Sequence, residues 1–238
     1  MFSVRDCLFL VVLFVANVIQ GITGFAGTVL AMPFSLLLIG ADDAKTVLAV
    51  MALVSCAAIS ACSWRSIVWR ELIRIVAIMA VGMAAGIVIY ALAPLDALRR
   101  VYGVVVVAIA LGGLLSRRRR PLPRPALDAV LVAAGVIHGM FVSGGALLVV
   151  YATQTMPDKD RFRATVSAVW VPLNLLVLAQ LVAAGAIGWR AAALSVAGLA
   201  PLALAVAVGG ALARRIDQRR FMRLTYVLLL ASGLSIVW

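Results

Sequence analysis

One histidine, three cysteines and nine acidic residues are all that this chain of 238 residues offers for metal binding or acid–base chemistry. No CxxC pair occurs, and no two carboxylates share an apolar run; Asp6, Asp42, Asp43, Asp96, Asp158 and Asp217 all stand at or near run ends. A zinc site needs several nitrogen or sulfur ligands, and acid–base catalysis needs paired titratable groups. Neither pattern is present, which argues against a membrane-embedded enzyme, a bound metal or a cofactor. Cys7, Cys56 and Cys62 are odd in number and match no metal or redox spacing. They read as core or lipid-facing residues.

What the chain has in abundance is apolar surface. Hydrophobic residues make up 65% and charged residues 13%, with a mean hydropathy of +1.15. Soluble domains are about 45–50% apolar, and a chain of this length could not hide such an excess. The class is polytopic, all-α membrane protein. The net charge of +12 and pI of 11.2 would suggest nucleic acid in a soluble protein. In a membrane protein the same charges set orientation, and no nucleic-acid role is expected. Arg5 and Asp6 precede an apolar run without a clear cleavage site, so this segment reads as the first membrane element.

Apolar runs fall near residues 7–20, 27–40, 45–63, 72–93, 99–116, 127–142, 144–156, 162–184, 190–212 and 221–238. A full crossing takes about 20 residues. The runs starting at 45, 72, 99, 162, 190 and 221 are long enough. The other four are short crossing helices or re-entrant hairpins, and both options return the chain to the same side. With sides assigned on that basis, one face receives 16 Lys and Arg residues and the other 5. The positive-inside rule makes the richer face cytoplasmic and puts both termini outside. Each half then crosses an odd number of times, which predicts two inverted repeats.

The short runs flank two Gly-broken polar stretches, VIQGITGFAGTVL at 18–30 and VIHGMFVSGGALL at 136–148. Such breaks are costly in lipid, where hydrocarbon gives the backbone no partner. Paired breaks in two halves point to a transporter's binding site. Other matches lie on the same diagonal, with offsets of 118–121. Lys45-Thr46-Val47 aligns with Ala164-Thr165-Val166, Trp69-Arg70 with Trp189-Arg190, and Asp96 before Arg99-Arg100 with Asp217 before Arg219-Arg220. The expected organisation is a first repeat over 1–116, a basic cytoplasmic linker over 117–126 and a second repeat over 127–238. Each repeat holds a broken or re-entrant hairpin plus three long transmembrane helices.

Gly21-Ile-Thr-Gly-Phe-Ala-Gly27 followed by Pro33, and Gly139-Met-Phe-Val-Ser-Gly-Gly145, resemble the paired Gly-rich segments of the sulfite exporter TauE/SafE family (the toluene-sulfonate uptake permease family). The polar-flanked loop from Pro157 to Thr165 and Asn174 in the following helix also fit. The resemblance covers nearly the whole chain. It implies secondary transport of sulfur-containing or carboxylate anions across the bacterial inner membrane.

The breaks have a physical logic of their own. A helix that starts inside the membrane aims unsatisfied N–H groups and its positive dipole end at one spot. Gly admits an anion to that backbone without Cβ obstruction. The candidate anion-binding set is Gln20, Gly21, Thr23, Gly24, Gly27 and Thr28 from the first break, with His138, Gly139, Ser143, Gly144 and Gly145 from the second, and Asn174. The bland alternative for the glycines is close helix packing, which suits Gly82 and Gly86 better. His138 matches Gln20 in the other half; protonated, it would bind the anion or carry a coupling proton. Its alternative is a neutral core residue bonded to a carbonyl. Thr46 and Thr165 read as helix caps, and Trp64, Trp69, Trp170 and Trp189 as interface anchors. The arginine run orients the chain, with anionic lipids as a second contact. An anion channel, built by oligomerisation, and a membrane accessory protein are the rival functions.

Overall fold

The computed structural model describes residues 3–92, 95–115 and 122–237. These form ten α-helices: α1 (Val4–Thr23), α2 (Ala26–Ile39), α3 (Ala41–Cys62), α4 (Trp69–Leu92), α5 (Leu95–Leu115), α6 (Arg124–Phe141), α7 (Gly145–Thr155), α8 (Lys159–Ala183), α9 (Trp189–Arg215) and α10 (Gln218–Val237). A single 3-10 turn, Trp64–Ser66, joins α3 to α4, and no strand occurs among the described residues. Half of the expected basic linker, residues 117–121 including Arg117 to Arg120, lies outside the described residues.

Among the described residues, six helices are long and apolar enough to cross a membrane: α1, α3, α4, α6, α8 and α9. The presence of α1 and α6 in this set corrects the reading of their runs as short. Charged and small residues beyond the apolar runs count toward helix length, residues 4–6 and 21–23 in α1 and 124–126 in α6. Gln20, Gly21 and Thr23 stay helical in α1, as do His138 and Gly139 in α6. α2, with 14 residues, and α7, with 11, are too short for a crossing; α5 and α10, whose runs were expected to cross, have the length but are not among the six.

Side chains cap the starts of α1 and α8. Ser3 and Asp6 form a reciprocal capping box at α1, with Asp6 N–H donating to Ser3 Oγ at 3.2 Å and Ser3 N–H to Asp6 Oδ2 at 2.8 Å. Asp158 accepts from the amides of Asp160 and Arg161 at α8. Thr165 does not cap its own helix, as its position suggested. Its Oγ1 accepts from Val68 N–H at 2.9 Å, across 97 positions of sequence, beside the start of α4. Thr46 Oγ1 is buried without a partner.

Packing runs between the halves. α1 lies against α9, α4 against α6, α5 against α10 and α3 against α8. When α1–α5 are matched in order with α6–α10, three contacts between the halves map onto others: α1–α9 onto α6–α4, α2–α10 onto α7–α5, and α3–α9 onto α8–α4. The tightest crossing is made by glycine. A Cβ at Gly82 or Gly86 would strike the carbonyls of Val132 or Val136 in α6, and one at Gly135 or Gly139 those of Met79 or Met83 in α4. The α1–α9 crossing uses Gly21 and Gly209 in the same way, with a Cβ on Gly21 only 3.0 Å from Gly209 Cα. Gly82 and Gly86 thus act through close packing.

Val11, Val15, Leu37, Ile73, Val81, Leu92, Val196 and Leu204 are each more than half exposed and suit a lipid-facing surface. Charges collect at the helix ends. Arg190 Nη2 reaches Asp6 at 2.7 Å and its Nη1 reaches Asp43 at 3.6 Å, tying together the starts of α9, α1 and α3. Elsewhere Arg74 Nη2 contacts both oxygens of Asp128 at 2.7 Å, and Tyr151 donates to Glu71 at 2.6 Å. Replacing Gly86 by Ala should lower stability by about 1–3 kcal/mol, since the added methyl meets backbone that cannot step aside. Thermal unfolding of the detergent-purified protein measures this, and an unchanged melting temperature would contradict the packing described.

Candidate functional site

Both Gly stretches break their helices. α1 stops at Thr23, and Gly24 adopts φ +86°, with its amide bonded to Gln20 O at 2.7 Å. That conformation favours glycine. Space demands it too, since a Cβ there would lie 2.8 Å from both Arg163 O and Ser167 Oγ. Three amides that follow are taken by α1's own side chains. Thr23 Oγ1 accepts from Phe25 at 3.4 Å and Ala26 at 3.2 Å, while Gln20 Oε1 accepts from Gly27 at 2.8 Å. Gln20 Nε2 meanwhile donates to Gly24 O at 3.2 Å and to Cys56 Sγ at 3.0 Å. Gly27 lets Gln20 do this, because a Cβ would sit 2.9 Å from Gln20 Oε1. At the carbonyl end, Arg163 Nε donates to Gly21 O at 2.7 Å.

The second break is built differently. α6 stops at Phe141, and Val142 takes φ +54°, ψ +33°. A β-branched residue in the left-handed region is strained, of order 1–3 kcal/mol. The residue preceding α7 is Gly144, which has no side chain to cap the new helix. A Cβ on Gly144 would collide with Ala134 O and lie 3.1 Å from His138 Cβ. One on Gly145 would lie 2.9 Å from Phe25 Cδ2. The start of α7 therefore rests on the first break. The two stretches meet.

Polar atoms without partners gather beside this second break. Neither ring nitrogen of buried His138 has a hydrogen-bond partner. Its ring stands 5.0 Å from that of Trp170, tilted by 36°. Trp170 Nε1 and Asn174 Oδ1 are also buried and unpaired, although Asn174 Nδ2 donates to Trp170 O at 2.8 Å. Such groups are costly unless a partner arrives.

The candidate residues therefore fall into three groups. Gln20, Thr23, Gly24 and Gly27 build the first break; His138, Gly144 and Gly145, with buried Ser143, surround the second, and Asn174 joins through Trp170. Thr28 is half-buried in the first turn of α2. Gly21 and Gly139 sit at the helix crossings. Trp64, Trp69 and Trp189 are exposed as interface anchors should be, but Trp170 is buried, which corrects its reading as an anchor. Cys56 and Arg163 were missed as partners of the first break. A signal for Cys56 was available: Cys56 and Asn174 are 118 positions apart, the same offset as Gln20 and His138.

Replacing Gln20 by Ala would strand the amide of Gly27 and remove a donor from Gly24 O. A buried unsatisfied group costs about 1–3 kcal/mol. The melting temperature of Gln20→Ala should fall accordingly, and a value equal to that of the parent protein would show that the break does not depend on this side chain.

Set against families of known proteins, residues 8–236 match the model described as "Sulfite exporter TauE/SafE". No curated protein and no solved structure matches the chain significantly. The family match spans nearly the whole length and takes in both broken hairpins, so the chain belongs to the sulfite exporter TauE/SafE family.

Proposed function

We propose that this protein is a secondary transporter that moves a small organic or sulfur-containing anion, such as sulfite, a sulfonate or a related carboxylate, across the bacterial inner membrane by alternating access. Family membership makes it a membrane transporter of the sulfite-exporter type and not an enzyme. Its six long apolar helices make it multi-pass. Direction of transport follows the gradients and is not fixed by the fold.

The carrying observation is the meeting of two helix breaks beside unpaired polar groups. An oxyanion seated at the second break would accept from Trp170 Nε1 and from an imidazole N–H of His138, with the start of α7 adding amide donors. The first break, already satisfied by Gln20 and Thr23, acts as the firm wall against which Gly145 rests. His138 gains a proton with the anion and so couples transport to the proton gradient. Gln20 is its neutral counterpart in the other half. No residue set in the site calls for a cofactor.

Two inverted repeats, 1–116 and 127–238, joined by the basic linker 117–126, are supported by the exchange of helix contacts between halves. In this reading both termini lie outside. The ion-pair groups fit it, since Asp6, Asp43 and Arg190 come together on the face assigned outside, and Arg74 and Asp128 on the basic, cytoplasmic face.

Purified protein in liposomes should carry labelled sulfite or ethanesulfonate with saturable kinetics, and the same anions should raise its melting temperature. His138→Gln should weaken binding roughly tenfold, the equivalent of ~1.4 kcal/mol for a lost charge-assisted contact, and flatten the pH dependence of flux. Flux with unchanged rate and pH profile in His138→Gln would remove the proton role, and single-channel currents would replace the carrier with a pore. Alkaline phosphatase fused after Trp238 should be active in intact cells; an inactive fusion paired with a fluorescent cytoplasmic one would invert the topology.

A further inference from the structure

A cavity of about 780 Å³ opens between α3, α8 and α9, on the other side of Arg163 from the first break. Its polar lining includes Ser63, Ser66, Cys62, Asp160, Arg163 and Arg214. Two guanidinium groups face one carboxylate there, so the cavity is positive. Its volume far exceeds the ~30 Å³ share of one water molecule, leaving room for a small anion with part of its hydration shell.

Arg163 is the group that gives this cavity a purpose. Its Nε is held by Gly21 O at 2.7 Å, and Nη1 approaches Ser63 Oγ at 3.5 Å. A guanidinium has five N–H donors in a planar fork, and these two contacts use only two. A Cβ built on Gly210, another cavity residue, would lie 3.7 Å from Nη2, so the outer edge of the fork lies along the cavity wall. Among the described residues no carboxylate lies within ion-pair distance of Arg163, although it is only partly exposed. A half-buried cation with no carboxylate in contact, and only Asp160 against two guanidinium groups in the same cavity, is a ready seat for an anion.

We infer that this cavity is an anion vestibule in which Arg163 makes the cationic contact, assisted by Arg214 at its rim, for small oxyanions of the sulfonate, sulfite or phosphate kind. The inference deepens the transport reading and rests on it for the direction of use. Arg163 links the vestibule to the break mechanically. The same guanidinium ties down the carbonyl end of α1, so an anion that draws it away loosens the Gly21–Gly24 segment. Binding and opening of the first break are thereby coupled through one side chain.

Cys62 reports on the vestibule directly. It lines the cavity and is exposed, while Cys56 is buried and Cys7 can be replaced by Ser. In Cys7→Ser protein in phosphatidylcholine nanodiscs, the rates of Cys62 modification by 2-sulfonatoethyl and 2-(trimethylammonio)ethyl methanethiosulfonate give the local potential. The anionic reagent should be favoured, and the ratio should fall roughly tenfold in Arg163→Gln and less in Arg214→Gln. Sodium methanesulfonate should slow the reaction more than equal sodium chloride does, with that protection lost in Arg163→Gln and kept in Arg163→Lys. An unchanged ratio in Arg163→Gln, or methanesulfonate no better than chloride, overturns the proposal. Protection that appears only with phosphatidylglycerol in the disc assigns the cavity to a lipid headgroup and overturns it equally. Should Arg163→Gln fail to fold, Arg163→Lys and Arg214→Gln decide by the same ratio. Flux without protection sinks the vestibule alone; protection without flux sinks the transport reading alone.

Discussion

Ending a helix inside hydrocarbon leaves amides and carbonyls that lipid cannot satisfy. The first break meets this demand with Thr23 and, at its centre, one glutamine. Gln20 accepts from the new helix, donates across the kink to Gly24 O and reaches Cys56 on α3. Gly27 must be small for Gln20 to fit, Gly24 must be glycine for the turn, and Arg163 must hold the carbonyl of Gly21. Each neighbour is dictated by the backbone groups that the kink exposes. The second break copies the kink without copying the repair. Where Gln20 has three partners, His138 has none on its ring nitrogens, and where Thr23 caps α2, Gly144 stands before α7. That inequality between two otherwise matched segments is what the proposed anion seat at the second break rests on.

Glycine does two unrelated jobs here. At Gly24 it supplies a backbone conformation, and at Gly21, Gly82, Gly86, Gly135, Gly139 and Gly209 it supplies proximity. The second job suits a bundle in lipid, where helices gain little from hiding apolar surface and rely on backbone approach. Two glycines of the conspicuous motifs, Gly21 and Gly139, belong to it. A motif built of small residues can thus be continuous in sequence while its members serve different ends.

Much of the architecture was legible because lipid imposes simple rules on length and polarity. The breaks at Gly24 and around Gly144 fell inside the stretches expected, since polar residues amid apolar runs carry a strong signal. Helix lengths were misjudged at α1 and α6, because α1 takes in residues 4–6 and 21–23 and α6 begins at Arg124, where charged and small residues outside the apolar runs are still helical. Trp170 was misread for a related reason. A tryptophan is an anchor or a core residue according to its depth, and depth depends on packing that composition does not encode. Arg163 was counted among the basic residues of one face, and its contact with Gly21, 142 positions away, has no local signature.

The exchange of helices between halves bears on how the chain is made. Asp6 and Arg190 pair across 184 positions, and α1 has its main companion in α9. At 5–20 residues per second, a ribosome needs roughly 10–40 s to deliver that companion. During this interval α1 sits in the bilayer with its glycine groove unfilled, and α6 alone of the two crossings finds its mate, α4, already inserted. Neither half contains the surfaces that would complete it, so a lone amino-terminal half leaves the crossing faces of α1 and α4 uncovered. Two fragments produced separately in one cell would instead have to find each other and interlock before either could mature.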